Sequence, residues 1–204
     1  MSRIFVMLIL LLSFSCEEKK TQEKKTSLYS QNFLAPTKPK KEKIEELRNF
    51  LRENKTYNQN WAILIDFKIP SYRHRFFIYD FKNNHILERA LVTHGEGSVT
   101  DTPNRLKFSN VENSYCSSLG KYAIGYSYDG QFGKAYKLLG LDSSNSNAFK
   151  RAVVLHKYKC VPNNEQKTPI CTSLGCPMVS EDFFLKMEKY IDKSNKKMIL
   201  YAYY

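Results

Sequence analysis

The sequence predicts a mainly β protein with a few helices. Its 204 residues include 14 Tyr and 13 Phe but only 8 Gly, and aromatic residues favour strands. Apolar segments of strand length repeatedly end at turn-forming residues, whereas only two segments carry apolar residues at helical spacing. With 42% hydrophobic residues, the chain is long enough for one packed domain with extensions.

The positive net charge favours anionic binding partners but does not identify one. Lys and Arg number 32 against 20 Asp and Glu, a formal charge of +12, which suits nucleic acid, membrane headgroups or an acidic cell wall. No arginine-rich or aromatic-interleaved patch typical of a nucleic-acid module is present. We therefore expect no nucleic-acid binding, and we expect a monomer whose lysines mostly lie on solvated surfaces.

The first residues have the pattern of an export signal. After Arg3, the apolar run Ile4–Leu12 is too short to span a membrane and suits a signal-peptide core. The following segment, which ends at Cys16, resembles a lipoprotein processing site, although Ser13 stands where an aliphatic residue is usual. We interpret residues 1–16 as a lipoprotein-type signal with a lipidated Cys16 anchored in the membrane; ordinary secretion is the alternative. Either route predicts the cell envelope, periplasmic or on the outer surface, where disulfides form.

Two segments precede the predicted folded domain. Residues 17–41 are rich in Lys, Thr, Ser, Gln and Pro, which predicts a flexible tether. Residues 42–56 place Ile44, Leu47 and Leu51 on one helical face. We expect a helix that packs on the domain of residues 57–204; a partner-binding helix is the alternative.

The first half of that domain is predicted to consist of antiparallel strands. Three strands joined by turns without a helix indicate antiparallel pairing, and they cover Trp61–Phe67, Arg73–Phe81 and His85–Thr93. Gly130 and Gly133 predict a hairpin between short strands.

The second half adds a buried strand, a helix and a final strand. Ala152–Leu155 is apolar and ends at His156. Ser180 is the expected N-cap of a helix over Glu181–Lys193, and Met198–Tyr203 predicts a strand inside the sheet.

A thiol nucleophile is the chemistry that the sequence favours. Cys176 lies on a predicted turn, between Gly175 and Pro177, twenty residues after His156. An imidazole can remove the thiol proton, and the thiolate is the species that attacks a carbonyl.

The remaining cysteines predict a disulfide. Cys160 and Cys171 bracket a loop, so a bridge between them would hold His156 and Cys176 in register, while Cys116 stays free and buried. The alternative is a zinc site formed by the histidine and the last three cysteines. Because no Cys-x-x-Cys pair occurs, we expect no metal and no other cofactor.

Several motifs together resemble the L,D-transpeptidases of bacterial cell walls, in the branch with Ser-x-Gly-Cys-Pro in place of Ser-His-Gly-Cys. The resemblance runs from about residue 94 to the end, and besides the catalytic turn its motifs are His94-Gly95, Phe108-Ser109-Asn110, Ser117-Ser118-Leu119-Gly120, Gly140-Leu141, Asn145-x-Asn147-Ala148 and Arg151. It implies a β-sandwich-like fold and peptidoglycan stem peptides as substrate. Papain-like peptidases place the cysteine before the histidine, so the order here argues against them.

The resemblance also implies roles for site residues. Cys176 would form a thioester with a tetrapeptide stem, His156 would be the general base, and backbone N–H groups near Gly175 would bind the oxyanion. An amine then makes a 3→3 cross-link, or water makes the enzyme a carboxypeptidase. Ser173 is expected to support the turn or bind substrate.

Three departures from the family pattern affect these roles. Lys157 follows the histidine where glycine is common, Leu174 replaces the motif histidine, and Thr172 stands where a basic residue often precedes the serine. Arg151 or His94 would then hold a substrate carboxylate, although spacing alone favours a satisfied surface histidine at position 94. The alternative function is a non-catalytic lipoprotein that uses the same fold to bind the cell wall.

Overall fold

The computed structural model describes residues 36–204. The predicted signal, Cys16 and nearly all of the predicted tether lie outside the described residues. In chain order the elements are α1 Lys41–Glu53, β1 Trp61–Asp66, β2 Phe76–Asp80, β3 His85–Ala90, a 3-10 turn Glu96–Ser98, β4 Gly120–Gly130, β5 Gly133–Gly140, β6 Val154–Lys157, β7 Met178–Val179, α2 Glu181–Asp192 and β8 Ile199–Tyr203. The mainly β class with a few helices is confirmed. Neither described α-helix has the length and apolar character needed to cross a membrane.

One eight-stranded sheet runs in the order β3-β2-β1-β8-β4-β5-β6-β7. The first three strands form the predicted antiparallel meander. The last strand lies inside the sheet, as predicted, parallel to β1 and antiparallel to β4.

The two faces of the sheet bury separate cores because side chains alternate along each strand. On one face, α2 contributes Phe183, Phe184 and Met187 to a core with β1, β2, β4, β5 and β8. On the other face, α1 buries its predicted apolar positions against Leu64, Phe77 and Tyr201, among others.

The ends of the strand order approach each other. Past β3, Thr93 N–H donates to Met178 O at 3.0 Å, and Gly95 forms a parallel bridge with Ser173. The sheet therefore curls around the first core and brings the segment after β3 against the cysteine-bearing turn.

Two strand predictions need correction. The hairpin strands β4 and β5 are 11 and 8 residues long, not short. The buried strand begins only at Val154, so His156 lies within β6 rather than at its end. The reason is local: Ala152 has φ +52° and Val153 N–H donates to Ala148 O at 2.9 Å, which makes both residues part of the preceding turn.

The predicted disulfide Cys160–Cys171 is confirmed, and Cys116 is free and buried as predicted. The bridged loop also packs Val161 and Ile170 against Leu91 and Met178. The loop is therefore held by apolar burial as well as by the covalent bond.

We expect replacement of both bridging cysteines by serine to lower the free energy of unfolding by about 2–3 kcal/mol, the loop-closure contribution of a short loop. Activity should fall only modestly, because β6 and β7 keep their pairing without the bridge. Denaturant unfolding and turnover of the double variant measure the two effects. Alkylation of Cys160 and Cys171 in unreduced exported protein would contradict the bridge.

Candidate active site

The turn that carries Cys176 is held on both sides by backbone contacts. Ser173 N–H donates to His94 O at 2.9 Å, and Ser173 Oγ accepts from Gly175 N–H at 3.1 Å. Gly175 has φ +116°, and a Cβ there would lie 3.0 Å from Cys116 O. Only glycine meets both requirements without strain, so this residue shapes the turn that presents the thiol.

The Cys176 sulfur lies against the turn that leads into β6. Val154 N–H donates to Sγ at 3.4 Å, and the thiol donates to Ala152 O at 3.8 Å. The residue is partly exposed, so a substrate carbonyl has access to it.

Backbone pairing brings His156 alongside the same segment. His156 pairs with Met178, two residues after the cysteine, and its N–H donates to Pro177 O at 3.4 Å. Among the described residues no hydrogen bond joins the imidazole to Sγ. The structure thus places His156 on the strand that pairs with the segment following Cys176, without a hydrogen bond between the two side chains, and catalytic contacts often tighten only when substrate binds.

The orientation of the His156 ring identifies its basic nitrogen. Nδ1 lies 3.0 Å from Lys157 O, and a carbonyl only accepts, so Nδ1 carries the proton and Nε2 has the free lone pair. The ring also stacks on Phe132, with centroids 5.4 Å apart and planes at 19°. Lys157 stands where the family commonly has glycine, but this difference does not disturb the ring orientation, because the backbone carbonyl of residue 157 accepts the hydrogen bond.

Burial keeps both reacting groups neutral. It lowers the pKa of His156, only partly opposed by the Lys157 carbonyl. It raises the pKa of the Cys176 thiol, opposed by the Val154 N–H and by the charges of Arg151 and Lys137. A neutral imidazole beside a neutral thiol suits proton removal during attack rather than a resting ion pair.

A direct consequence concerns the pH dependence of alkylation. Because the thiol pKa is raised and only the thiolate reacts, iodoacetamide labelling of Cys176 should accelerate with pH up to a midpoint above the ordinary cysteine value. Peptide-resolved mass spectrometry separates Cys176 from the other free thiols, and the denatured chain serves as reference. A midpoint below that of the denatured chain would contradict the neutral pair.

Arg151 binds a neighbouring segment through its guanidinium and also lines a groove near the thiol. Its guanidinium donates to Ser109 O at 2.9 Å, Ser118 Oγ at 3.1 Å and Cys116 O at 2.6 Å. These bonds hold the 109–118 segment against the catalytic turn. Three of its five donors are therefore engaged within the chain.

His94 is buried, so the expectation of a surface histidine is wrong. Its Nδ1 accepts from Arg75 Nη2 at 2.9 Å, and burial together with the arginine charge lowers its pKa to about 4. The curl of the sheet explains the burial, because the segment after β3 is covered by the turn from Thr172 to Gly175. His94 lies behind that turn, and its carbonyl supports Ser173.

The oxyanion donors are more restricted than the sequence suggests. Gly175 N–H already donates to Ser173 Oγ. Cys176 N–H has no hydrogen-bond partner within residues 36–204, which leaves it as the better placed donor of the two.

A groove of about 430 Å³ lies on the Ala152 side of the thiol, although neither Cys176 nor His156 lines it. Its walls include the exposed side chain of Leu174 and the Ala152 segment that contacts Sγ. The complete lining is Glu112, Asn113, Tyr115, Lys150, Arg151, Ala152 and Leu174. A peptide of a few residues fits this volume.

The zinc alternative loses two of its four ligands. Cys160 and Cys171 are bonded to each other, and a disulfide sulfur does not serve as a thiolate ligand. In the described part of the chain no cluster of three or more metal-binding side chains occurs.

Two residues near the site were not singled out from the sequence. Phe132 lies at the tip of the β4–β5 hairpin, where an aromatic residue has no distinguishing pattern. Arg75 lies within the predicted strand Arg73–Phe81, and nothing in a strand pattern shows that an arginine is fully buried.

Comparison with known proteins gives a family but no curated match. A family model described as the L,D-transpeptidase catalytic domain matches residues 35–203, whereas no curated protein sequence matches significantly.

Three solved structures illustrate the similarity. The L,D-transpeptidase of Xylanimonas cellulosilytica aligns with 12% identity and a TM-score of 0.38 over 71% of this chain and 60% of that chain. The helical cell shape determining protein Pgp2 from Campylobacter jejuni aligns with 13% identity and a TM-score of 0.42 over 70% and 47%. An L,D-transpeptidase from Mycobacterium smegmatis aligns with 10% identity and a TM-score of 0.39 over 71% and 59%. The chain thus spans less than two thirds of each of these proteins.

The family match covers nearly the whole described domain and confirms the resemblance inferred from the motifs. This chain belongs to the L,D-transpeptidase catalytic domain family.

Proposed function

We propose that the protein is a peptidoglycan L,D-transpeptidase that acts on tetrapeptide stems through a Cys176 thioester. The single observation that carries the proposal is the oriented imidazole beside the cysteine-bearing turn: Nδ1 is committed to Lys157 O, so Nε2 is left as the base. The family membership supports the reaction class, and the groove lined by Ala152, whose carbonyl contacts Sγ, provides room for a stem peptide.

The first half of the reaction forms the thioester. Rotation about the Cys176 Cα–Cβ bond turns Sγ away from Ala152 O and toward His156. Nε2 takes the thiol proton as sulfur attacks the peptide carbonyl carbon, and Cys176 N–H stabilises the oxyanion. When the tetrahedral intermediate collapses, the C–N bond breaks, the imidazolium gives its proton to the leaving amine, and D-alanine departs.

The second half resolves the thioester. An amine of a neighbouring stem attacks the thioester carbonyl, transfers its proton to Nε2, and the C–S bond breaks to return the thiol. The product is a 3→3 cross-link, whereas water in place of the amine trims the stem as a carboxypeptidase would. Both outcomes need the same two residues, so they differ only in access of the second nucleophile to the groove.

The test is incubation of the protein with tetrapeptide-containing muropeptides. We expect D-alanine release and an acyl-enzyme mass located on the Cys176 peptide. Absence of both, with the wall still bound, would overturn the enzyme proposal in favour of the non-catalytic wall-binding lipoprotein.

We also propose that lipidated Cys16 anchors the protein in the cell envelope. Its support is the sequence pattern before Cys16 and the presence of a disulfide in the folded domain, which is typical of exported proteins. Replacement of Cys16 by serine should move the protein from the membrane fraction to the soluble envelope fraction. Unchanged membrane association of that variant would contradict the anchor.

A further inference from the structure

A second cavity lies behind the catalytic turn, away from the groove beside the thiol. Its volume is about 200 Å³, which admits a small molecule or the end of a peptide. Neither Cys176 nor His156 lines it. Its polar lining includes Arg75, His94, Thr100, Arg105 and Thr172.

The buried guanidinium of Arg75 makes no ion pair in the described part of the chain; the carboxylate of Asp66 attracts it from beyond ion-pair distance. Its side chain is fully buried, at 1% exposure, and no carboxylate of residues 36–204 lies within ion-pair distance of it. Nε and Nη2 donate to Val92 O at 2.9 and 2.7 Å, and Nη1 donates to Ile69 O at 3.2 Å. Together with the bond to His94, these contacts use four of the five N–H groups, and one Nη1 hydrogen remains.

His94 adds a neutral donor to the same cavity. Arginine only donates, so Nδ1 of His94 is the acceptor in the contact with Arg75 and the ring proton lies on Nε2. No described residue accepts from Nε2. The ring lines the cavity, and its Nε2–H is therefore available to a ligand.

We propose that this cavity binds a carboxylate group. One carboxylate oxygen would accept from Arg75 Nη1 and the other from His94 Nε2, while Arg105 at the rim adds a second positive charge. The argument rests on charge: a buried cation that Asp66 compensates only from beyond ion-pair distance is costly, and an anion held by charge-assisted hydrogen bonds lowers that cost. A planar anion with two oxygens matches one donor from each of the two lining residues Arg75 and His94, and the threonine hydroxyls of the wall are neutral.

The site is physically linked to the catalytic turn without being part of it. His94 O accepts from Ser173 N–H, and Ser173 Oγ in turn accepts from Gly175 N–H. A ligand that fixes the His94 ring would therefore stiffen the support of the turn. The proposal itself concerns binding and does not depend on the reaction proposed above.

The experiment is titration of the full chain with acetate, followed by NMR of the His94 ring and of the backbone amides of Gly95 and Thr172. We expect saturable shifts with a millimolar Kd, the affinity range of a few charge-assisted contacts. Acetamide, which has the same shape without charge, and sodium chloride at equal ionic strength should give no saturable shift.

Two variants and one control make the assignment specific. His94→Phe keeps a flat ring but removes the donor, so the saturable shifts of the two amides should disappear. Arg105→Gln should weaken acetate binding about threefold, as expected for an exposed charge. Lys107→Gln removes a neighbouring exposed charge that does not line the cavity, and it should leave binding unchanged.

Any one of three results would overturn the carboxylate site. The first is that acetate fails to saturate the shifts at about 100 mM, a concentration far above a millimolar Kd. The second is equal weakening of acetate binding by Arg105→Gln and Lys107→Gln, and the third is tighter binding of inorganic phosphate than of acetate. If His94→Phe fails to fold, the Arg105 and Lys107 pair decides the question. If the protein binds acetate as expected but does not turn over muropeptides, the proposed function is refuted and the carboxylate site is not.

Discussion

Replacing Cys176 by alanine is expected to abolish acyl-enzyme formation and to reduce D-alanine release by about 10⁴-fold or more, the scale of losing a covalent nucleophile. The reason is that, among residues 36–204, Cys176 is the one free thiol that is not buried. Cys116 is buried and donates to Gly97 O at 3.0 Å, and the remaining cysteines of the described domain are bridged. Muropeptide turnover followed by mass spectrometry of the protein measures both effects.

Cys116→Ala is the matched control for this prediction. It removes the other free thiol of the described residues without touching the proposed chemistry, so the acyl-enzyme should still form. Packing loss at a buried position lowers stability modestly, which a thermal melt detects separately from turnover. Equal activity of Cys176→Ala and the wild-type chain would refute the thioester mechanism.

Local pattern was sufficient to predict most of the fold. The meander from β1 to β3, the helical face of Ile44, Leu47 and Leu51, and the buried final strand all follow from apolar periodicity and turn residues. The N-cap at Ser180 is also present, since its side chain accepts from Phe183 N–H. These features depend on residues close together in the chain, so local sequence patterns are enough to predict them.

Contacts between segments that are distant in the chain could not be predicted from local sequence patterns. Burial of His94 results from the turn at Thr172–Gly175, almost eighty residues later, packing over the segment after β3. Likewise, the start of β6 at Val154 depends on the turn hydrogen bond from Val153 to Ala148, although Ala152–Leu155 is uniformly apolar. An apolar run does not distinguish a strand from a turn, and Ala152 is exposed.

The sequence nominates the candidate site residues but not the groups that support them. Spacing and residue type were enough to nominate Cys176 and His156, because nucleophilic catalysis needs a thiol and a base. The support comes from groups without a chemical signature: the Lys157 carbonyl and the Phe132 ring orient the histidine. The nomination of Arg151 as a ligand for a substrate carboxylate stays a prediction, and its bonds to the 109–118 segment were not foreseen from the sequence.

His156→Gln is expected to lower the rate of acylation by about 10²–10⁴-fold, the usual contribution of a general base. Glutamine keeps much of the side-chain volume but cannot take the thiol proton at neutral pH. Because hydroxide can then generate the thiolate, the residual rate should rise with pH up to the raised pKa of Cys176. Single-turnover formation of the acyl-enzyme across a pH series measures this change, and an unchanged rate at neutral pH would exclude His156 as the base.

Phe132→Leu tests whether the Phe132 ring influences the His156 base while the base itself is retained. Phe132 is 44% exposed, so its loss costs little stability, but it uncovers the imidazole that burial keeps neutral. The pKa of His156 should then rise toward its ordinary value. Because only the neutral ring accepts a proton, the variant should lose activity on the acid side at a higher pH than the wild-type chain does. The rate at the pH optimum should fall only severalfold, because Lys157 O still fixes the Nδ1 proton. A lower rate with an unshifted acid limb would show that Phe132 supports the hairpin and not the histidine.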